Sequence, residues 1–187
     1  MADCHAAVIA EVGETGLGRL SIDGVARRAG VAKTSLYRRW SSVEELLLDA
    51  LHQAHPVELP TADGGNLRAD LVRSLQQLVG WLSSPAGQAS GAILAERGRR
   101  PELVEALYRQ VFDARGGSFT RTVLEHYAAR DEIDPQRITP VVADIGEALV
   151  IKHQIDSGRL PYDTTLAAIV DEALLPALGA PTPDRGD

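Results

Sequence analysis

The densest chemistry in the chain lies in Lys33-Thr34-Ser35-Leu36-Tyr37-Arg38-Arg39-Trp40. Helical spacing puts Leu36 and Trp40, four positions apart, on one side of this segment. Lys33, Thr34, Tyr37 and Arg38 then fall on the opposite side, flanked by Ser35 and Arg39. Hydroxyls and a phenol suit phosphate oxygens, while Lys and Arg reach phosphates or guanine edges in a major groove. Residues 24–43 hold Arg27, Arg28, Lys33, Arg38 and Arg39 and no acid, a local charge of +5 in a chain whose net charge is −7. Residues 56–187 carry 13 basic and 19 acidic side chains. The cations are therefore gathered where a polyanion would dock, and the body behind them is acidic.

Other chemistry finds little support. Gly13, Gly16 and Gly18 have the density of a nucleotide loop but not its order, and no strand precedes them. The chain has no Walker sequence, no Gly-x-Ser-x-Gly and no plausible Cys–His pair. His52 and His55 are close enough in sequence to chelate a metal with Glu58, yet they sit at a helix-to-linker junction where surface histidines are expected. His126 and His153 fall among later helices with the same bland reading. The expectation is binding chemistry, with no catalytic residue, no metal and no cofactor. Two alternatives come from other classes: a helical ligand-binding or protein-interaction module without DNA binding, and, last, a small helical enzyme.

The elements that must position the basic face are all helices. A first helix over residues 3–14 sets Ala6, Ile9 and Val12 near one face. Ser21 caps a short second helix to Arg28, and Gly30 follows at a helix-stop position. The segment of Lys33 to Arg39 forms the next helix after the tight turn at Ala29-Gly30-Val31, with Val25, Ala26 and Ala29 available to pack on Leu36. Ser42 and Glu45 make a capping box for a fourth helix through Leu46, Leu47, Ala50 and Leu51. Pro56, Pro60, Gly64 and Gly65 mark residues 53–65 as a linker, which divides a domain over 1–52 from one over 66–179.

Five helices are expected beyond the linker. One buries Leu67, Leu71, Leu75, Leu78 and Leu82; Ser84-Pro85 opens the next, and Pro101 a long one bent or broken at Gly116-Gly117. Asp134-Pro135 opens a helix burying Ile138, Val142, Ile145 and Leu149 and ending at Gly158. Asp163 begins the last, with Leu166, Ile169, Val170, Ala173 and Leu174 inward and a frayed tail after it.

This pattern resembles the TetR (tetracycline-repressor-like) family. The match is Leu20-Ser-Ile-x-x-Val-Ala-x-x-Ala-Gly-Val-x-Lys-x-Ser-Leu-Tyr-x-x-Trp40, then Ser42-x-Glu-Glu-Leu46, after a helix ending in Gly. The resemblance is specific over residues 9–51 and extends by helix count and length over the rest. It implies an all-α fold of about nine helices: an N-terminal three-helix helix-turn-helix DNA-binding domain plus a C-terminal helical ligand-binding and dimerisation domain. The implied function is a DNA-binding transcriptional regulator, a repressor released from a palindromic double-stranded operator by a small-molecule effector. The implied DNA contacts are Lys33, Thr34, Ser35, Tyr37, Arg38 and Arg39, with Ser21 and Arg28 supporting them. Many members carry Lys at the start of the fourth helix, where this chain has Val43.

The resemblance also implies a homodimer built through the last two long helices, over residues 138–155 and 166–178, and an effector pocket among the helices of the second domain. Trp81, Tyr108, Phe112, Phe119, His126 and Tyr127 are the candidates for its lining. A hydrophobic fraction of 44% supports a core in the 187 residues, and no apolar run approaches the ~20 residues of a membrane span. No signal peptide is read, and the lone Cys4 excludes an internal disulfide, so a cytoplasmic location is expected.

Overall fold

The computed structural model describes residues 2–56, 65–115 and 119–181. Among them every regular element is helical. Two compact units form, and they do not follow chain order: Met1–Pro56 joins Trp81–Arg115, and Val57–Gly80 joins Gly116–Asp187.

In the first unit, α1 (Ala2–Thr15) packs against α2 (Ile22–Ala29), α4 (Val43–Ala54) and α6 (Pro85–Ala95), and α2 supports α3 (Lys33–Tyr37). The ends of these helices are chemically specified. Ser21, in extended backbone, accepts the Gly24 amide at 3.1 Å, which satisfies one free donor of the first turn of α2. Gly30 closes α2 in the left-handed region at φ 66°, and the Val31 amide reaches back to the Ala26 carbonyl at 3.1 Å. Ser84 caps α6 with Pro85 in its first turn. The core contains Val8, Val25, Leu46, Leu47, Leu51, Ile93 and Leu107, all fully buried.

The buried face of α1 is Ala7, Val8, Glu11 and Val12, not the expected Ala6–Ile9–Val12 stripe; Ala6 is exposed and Ile9 half-buried. The rotation follows from Glu11, a charged residue that the interior accepts because Arg28 pairs with it. The helix from Pro101, α7 (Pro101–Leu107), gives way to a π-turn at Tyr108–Phe112 and a 3₁₀ turn at Asp113–Arg115. The bend expected at Gly116-Gly117 lies outside the described residues, as do positions 57–64 of the expected linker, with Glu58, and 182–187 of the tail.

The second unit takes residues through Gly80 of α5 (Leu67–Ser83), with α8 (Phe119–Ala128), α9 (Pro140–Ser157) and α10 (Asp163–Ile169). A π-turn at Val170–Leu174 leads from α10 into α11 (Leu175–Leu178). Leu71, Leu75, Leu124, Val150, Leu166, Val170 and Leu174 form its centre. Asp134-Pro135 opens only a 3₁₀ turn, Pro135–Arg137; α9 begins at Pro140, capped by Thr139, whose hydroxyl accepts the Val142 amide at 3.2 Å. The residue before a proline is driven out of helical backbone, and Thr139 has ψ 159°. The buried residues of α9 are Ala143, Gly146 and Val150, while Val141, Leu149, Ile151 and Ile155 face solvent in the single chain.

Candidate nucleic-acid interface

Leu36, 1% exposed, and Trp40, 5% exposed, anchor the segment that carries the basic face. With that side fixed inward, Lys33, Thr34, Tyr37, Arg38 and Arg39 are exposed and Ser35 is half-buried. Tyr37 stands out at 57% exposure, large for a phenol with no interior role. The helical hydrogen bonding of α3 runs on through Arg38 to Thr34 and Trp40 to Leu36, so Arg38 and Arg39 keep helical directions beyond Tyr37. Five of the expected DNA-contact positions are thus exposed on this segment, with Ser35 half-buried among them.

Trp40 is held in place by polar contacts as well as by packing. Its indole N–H donates to Asp49 Oδ2 at 2.9 Å, and the His5 Nε2 lies 3.1 Å from the same oxygen. The His5 ring meets the indole edge-on at 5.9 Å between centroids, and the Arg39 guanidinium lies over the indole at 5.3 Å. His5 and Asp49 carry little signal in the sequence: only a Trp followed nine positions later by an acid on the next helix.

Two cations of the basic segment have acidic partners. Lys33 Nζ lies 2.5 Å from Asp23 Oδ2. Arg28 makes a forked pair with Glu14, at 2.8 and 2.5 Å, and donates from Nε to Glu11 at 3.1 Å. Glu14 first, and then Glu11, holds the Arg28 guanidinium even more firmly protonated than usual. Reciprocally, the hydrogen bond from Arg28 draws the Glu14 carboxyl below its ordinary range. Glu11 is 5% exposed and lies against the Cα of Gly24, where an added Cβ would meet its Oε1 at 2.1 Å. Arg28 therefore links α2 to α1, and Ser21 spends its hydroxyl oxygen on the cap.

The six aromatic and histidine candidates for an effector pocket are distributed between the units. Trp81, Tyr108 and Phe112 belong to the first. There the ring of His55, which is buried rather than superficial, packs 4.7 Å from Trp81 and 5.5 Å from Phe112, with Tyr108 5.3 Å from Phe112. Phe119, His126 and Tyr127 belong to the second. Phe119 and Tyr127 are buried, and His126 lies edge-on to Tyr127 at 5.5 Å. No trio of His, Cys, Asp or Glu among the described residues has metal-binding geometry. No helix among them is long and apolar enough to cross a membrane.

Comparison with known proteins agrees with this geometry. Residues 6–50 match the model of bacterial regulatory proteins of the tetR family, and residues 61–173 match the tetracyclin repressor-like C-terminal domain. The chain is 33% identical over 165 residues to the HTH-type transcriptional regulator Rv1556 of Mycobacterium tuberculosis, spanning 88% of this chain and 81% of that one. It is 30% identical over 166 residues to the DNA-binding transcriptional repressor TetR of Mycobacteroides abscessus, spanning 86% and 84%. The crystal structure of the TetR family transcription regulator SCO0332 superposes with a TM-score of 0.70 at 24% identity, covering 97% of this chain and 98% of that one. Two family domains in their proper order, the curated relatives and the exposed basic recognition helix agree: the chain belongs to the tetR family and is a helix-turn-helix transcriptional regulator.

Proposed function

We propose that the chain is a homodimeric repressor that grips a palindromic double-stranded operator and leaves it when a small-molecule effector binds the C-terminal domain, residues 66–179. The observation that carries the reading is the exposed row of Lys33, Thr34, Tyr37, Arg38 and Arg39 behind which Leu36 and Trp40 are buried. Such a helix fits a major groove, and two copies about a two-fold axis require a palindromic site. The sign of regulation follows the Mycobacteroides abscessus relative, whose name describes a repressor.

Support for the dimer comes from α9. Val141 and Ile155 are 73% and 74% exposed, and Leu149 and Ile151 are 39% and 42% exposed, on a helix that otherwise buries small residues. Apolar surface of this kind marks an association face. The effector is taken to be mostly apolar or aromatic, recognised by some of Trp81, Tyr108, Phe112, Phe119, His126 and Tyr127. The chain works by binding in the cytoplasm and not by catalysis, with no cofactor.

The test is to select duplexes from a random pool with purified protein, then measure binding and stoichiometry. The reading expects one dimer on an inverted repeat, and release by a ligand first found through thermal shift. Absence of sequence-selective binding at ~50 mM salt, where phosphate contacts are strong, would leave a helical ligand-binding or interaction module instead.

A further inference from the structure

We infer that Asp23 holds Lys33 in an intramolecular ion pair, neutralising that lysine's charge beside the nucleic-acid surface so that Lys33 contributes little to phosphate binding. The inference rests on the DNA-binding reading above and adds to it a residue that sets salt sensitivity.

The pair joins the first turn of α2 to the first residue of α3, the two helices of the helix-turn-helix. The two charges approach to 2.5 Å, with 54% of the Lys33 side chain and 61% of the Asp23 side chain still exposed. At that exposure the pair contributes little to folding, since water and salt screen it and ordering two side chains costs entropy. The same exposure leaves both groups open to an incoming phosphate. Asp23 also stands immediately before residues 24–43, which contain no other acid. It is therefore the carboxylate set against an otherwise cationic segment. By contrast, Arg28 pairs with a buried carboxylate, Glu11, as well as with the exposed Glu14, and so ties α2 to α1.

The consequence is in counterions. A lysine that meets a phosphate releases a condensed cation from DNA, and each such contact steepens the log–log dependence of affinity on salt by about 0.9. A lysine that arrives with its own carboxylate brings no net positive charge, so it releases little. Asp23 thereby lowers the sequence-independent part of binding without touching a base. A surface pair serving only to fasten α2 to α3 predicts something else: loss of Asp23 would lower stability and leave salt dependence unchanged.

The experiment measures fluorescence anisotropy with an unselected random duplex and a selected one across a salt series, for wild type, Asp23→Asn, Lys33→Gln and the double variant. Asp23→Asn should bind both duplexes about two- to fivefold tighter at low salt and steepen the slope by about 0.9. Lys33→Gln should then cost about one unit of slope in the Asp23→Asn background and much less in wild type. Asp23→Ser, which keeps an acceptor in the first turn of α2, replaces Asp23→Asn if the latter does not fold. A wild-type slope in folded Asp23 variants, or a full unit lost by Lys33→Gln alone, overturns the inference while DNA binding stands. A wild type that binds neither duplex removes the DNA-binding reading and this inference together.

Discussion

The Tyr127 hydroxyl donates to Asp70 Oδ2 at 2.7 Å, and the two side chains are only 3% and 2% exposed. The Gly65 carbonyl oxygen lies 2.5 Å from the same hydroxyl, and Arg73 Nη1 donates to the other Asp70 oxygen at 2.8 Å. A residue of α8 thus fastens the start of α5 and the chain just before it. Tyr127→Phe keeps the ring but takes a donor from a buried carboxylate. It should lower stability by about 1–3 kcal/mol, measured by urea denaturation, with DNA affinity per folded molecule unchanged.

The same pair sets an alkaline limit. Burial, and then the hydrogen bond to Asp70, pushes the Tyr127 phenol up to about 12. A free phenol titrates near 10. The folded state thus favours the protonated form, and its stabilisation is complete below pH ~10 and lost as the pH rises toward 12. Wild type should lose stability over that window more steeply than Tyr127→Phe. Parallel curves for the two proteins would show that the phenol does not report the folded state.

Two glycines predict an order of damage. At Gly87 an added Cβ would lie 2.0 Å from the Trp81 carbonyl oxygen and 2.7 Å from its carbon, so backbone must move. At Gly24 the obstacle is the Glu11 carboxylate at 2.1 Å, the end of a side chain that can turn away at the expense of its pair with Arg28. Overpacking typically costs about 1–3 kcal/mol, and Ala recovers up to ~1 kcal/mol of helix propensity over Gly. Gly24→Ala should therefore cost about 1–2 kcal/mol, and Gly87→Ala more, up to failure to fold. Thermal melts giving the reverse order would contradict these close approaches.

The start of α4 offers an acid-side test. Ser42 Oγ accepts the Glu45 amide at 3.1 Å, while the Glu45 carboxylate accepts the Ser41 amide at 2.7 Å and the Ser41 hydroxyl at 2.5 Å. The expected capping box is therefore displaced by one residue at its return contact. Ser42→Ala should cost about 1 kcal/mol. The Ser41 hydroxyl, then the Ser41 amide, draws the Glu45 carboxyl below its usual range. A depressed carboxylate stabilises the fold above its unfolded pKa, near 4.3, and loses that contribution as pH falls below it. Glu45→Gln should lower the neutral plateau and shallow the acid limb, so that its stability profile converges with that of wild type at low pH.

The proposed dimer predicts that charge on the outer face of α9 separates protomers. Ile155→Asp and Val141→Asp alter side chains that are about three-quarters exposed in the single chain, so each protomer should fold normally. An obligate interface buries roughly 2,000 Å² or more and does not accept an unpaired carboxylate. Light scattering should show a wild-type dimer and variant monomers with native helical content. A wild type that is monomeric at micromolar concentration would refute the proposed assembly.

How much of this was legible in the sequence depended on whether the signal was local. Ser21, Gly30, Ser42, Pro85 and Gly158 punctuate helices by their own backbone chemistry, and each does so in the structure. The inward side of the segment from Lys33 to Trp40 was legible for the same reason, since Leu36 and Trp40 lie four residues apart and both are buried. Helix faces were read less well. Apolar periodicity assigns large residues inward, but α9 turns Ala143 and Gly146 inward because its backbone runs close to Leu75 and Leu174, whose methyls would lie 2.9 and 3.1 Å from a Cβ at Gly146. Asp134-Pro135 and Thr139-Pro140 carry equal start signals, and Ile138, at φ −82° and ψ 67°, interrupts the first. His55 and Glu11 look like surface residues until their distant partners, Trp81 and Phe112 for one and Arg28 for the other, are in place.

Arg28 and Arg38 look equivalent in the sequence, and the structure gives them different surroundings. The Arg28 fork is occupied by Glu14 and Glu11, while Arg38 is exposed on the face with Tyr37. A guanidinium matched by two carboxylates carries no net charge to a phosphate, so Arg28→Gln should reduce thermal stability and leave the salt slope of DNA binding close to wild type. Arg38→Gln should keep stability and do one of two things to binding. Loss of a phosphate contact flattens the slope by about 0.9 for all sequences alike. Loss of a guanine contact keeps the slope and relaxes preference at one base position, by about 1–3 kcal/mol. Measuring both variants on a selected duplex and on its single-base variants separates these outcomes. If Arg28→Gln flattens the slope by a full unit while the protein stays as stable as wild type, Arg28 leaves its carboxylates for DNA and joins the contact surface.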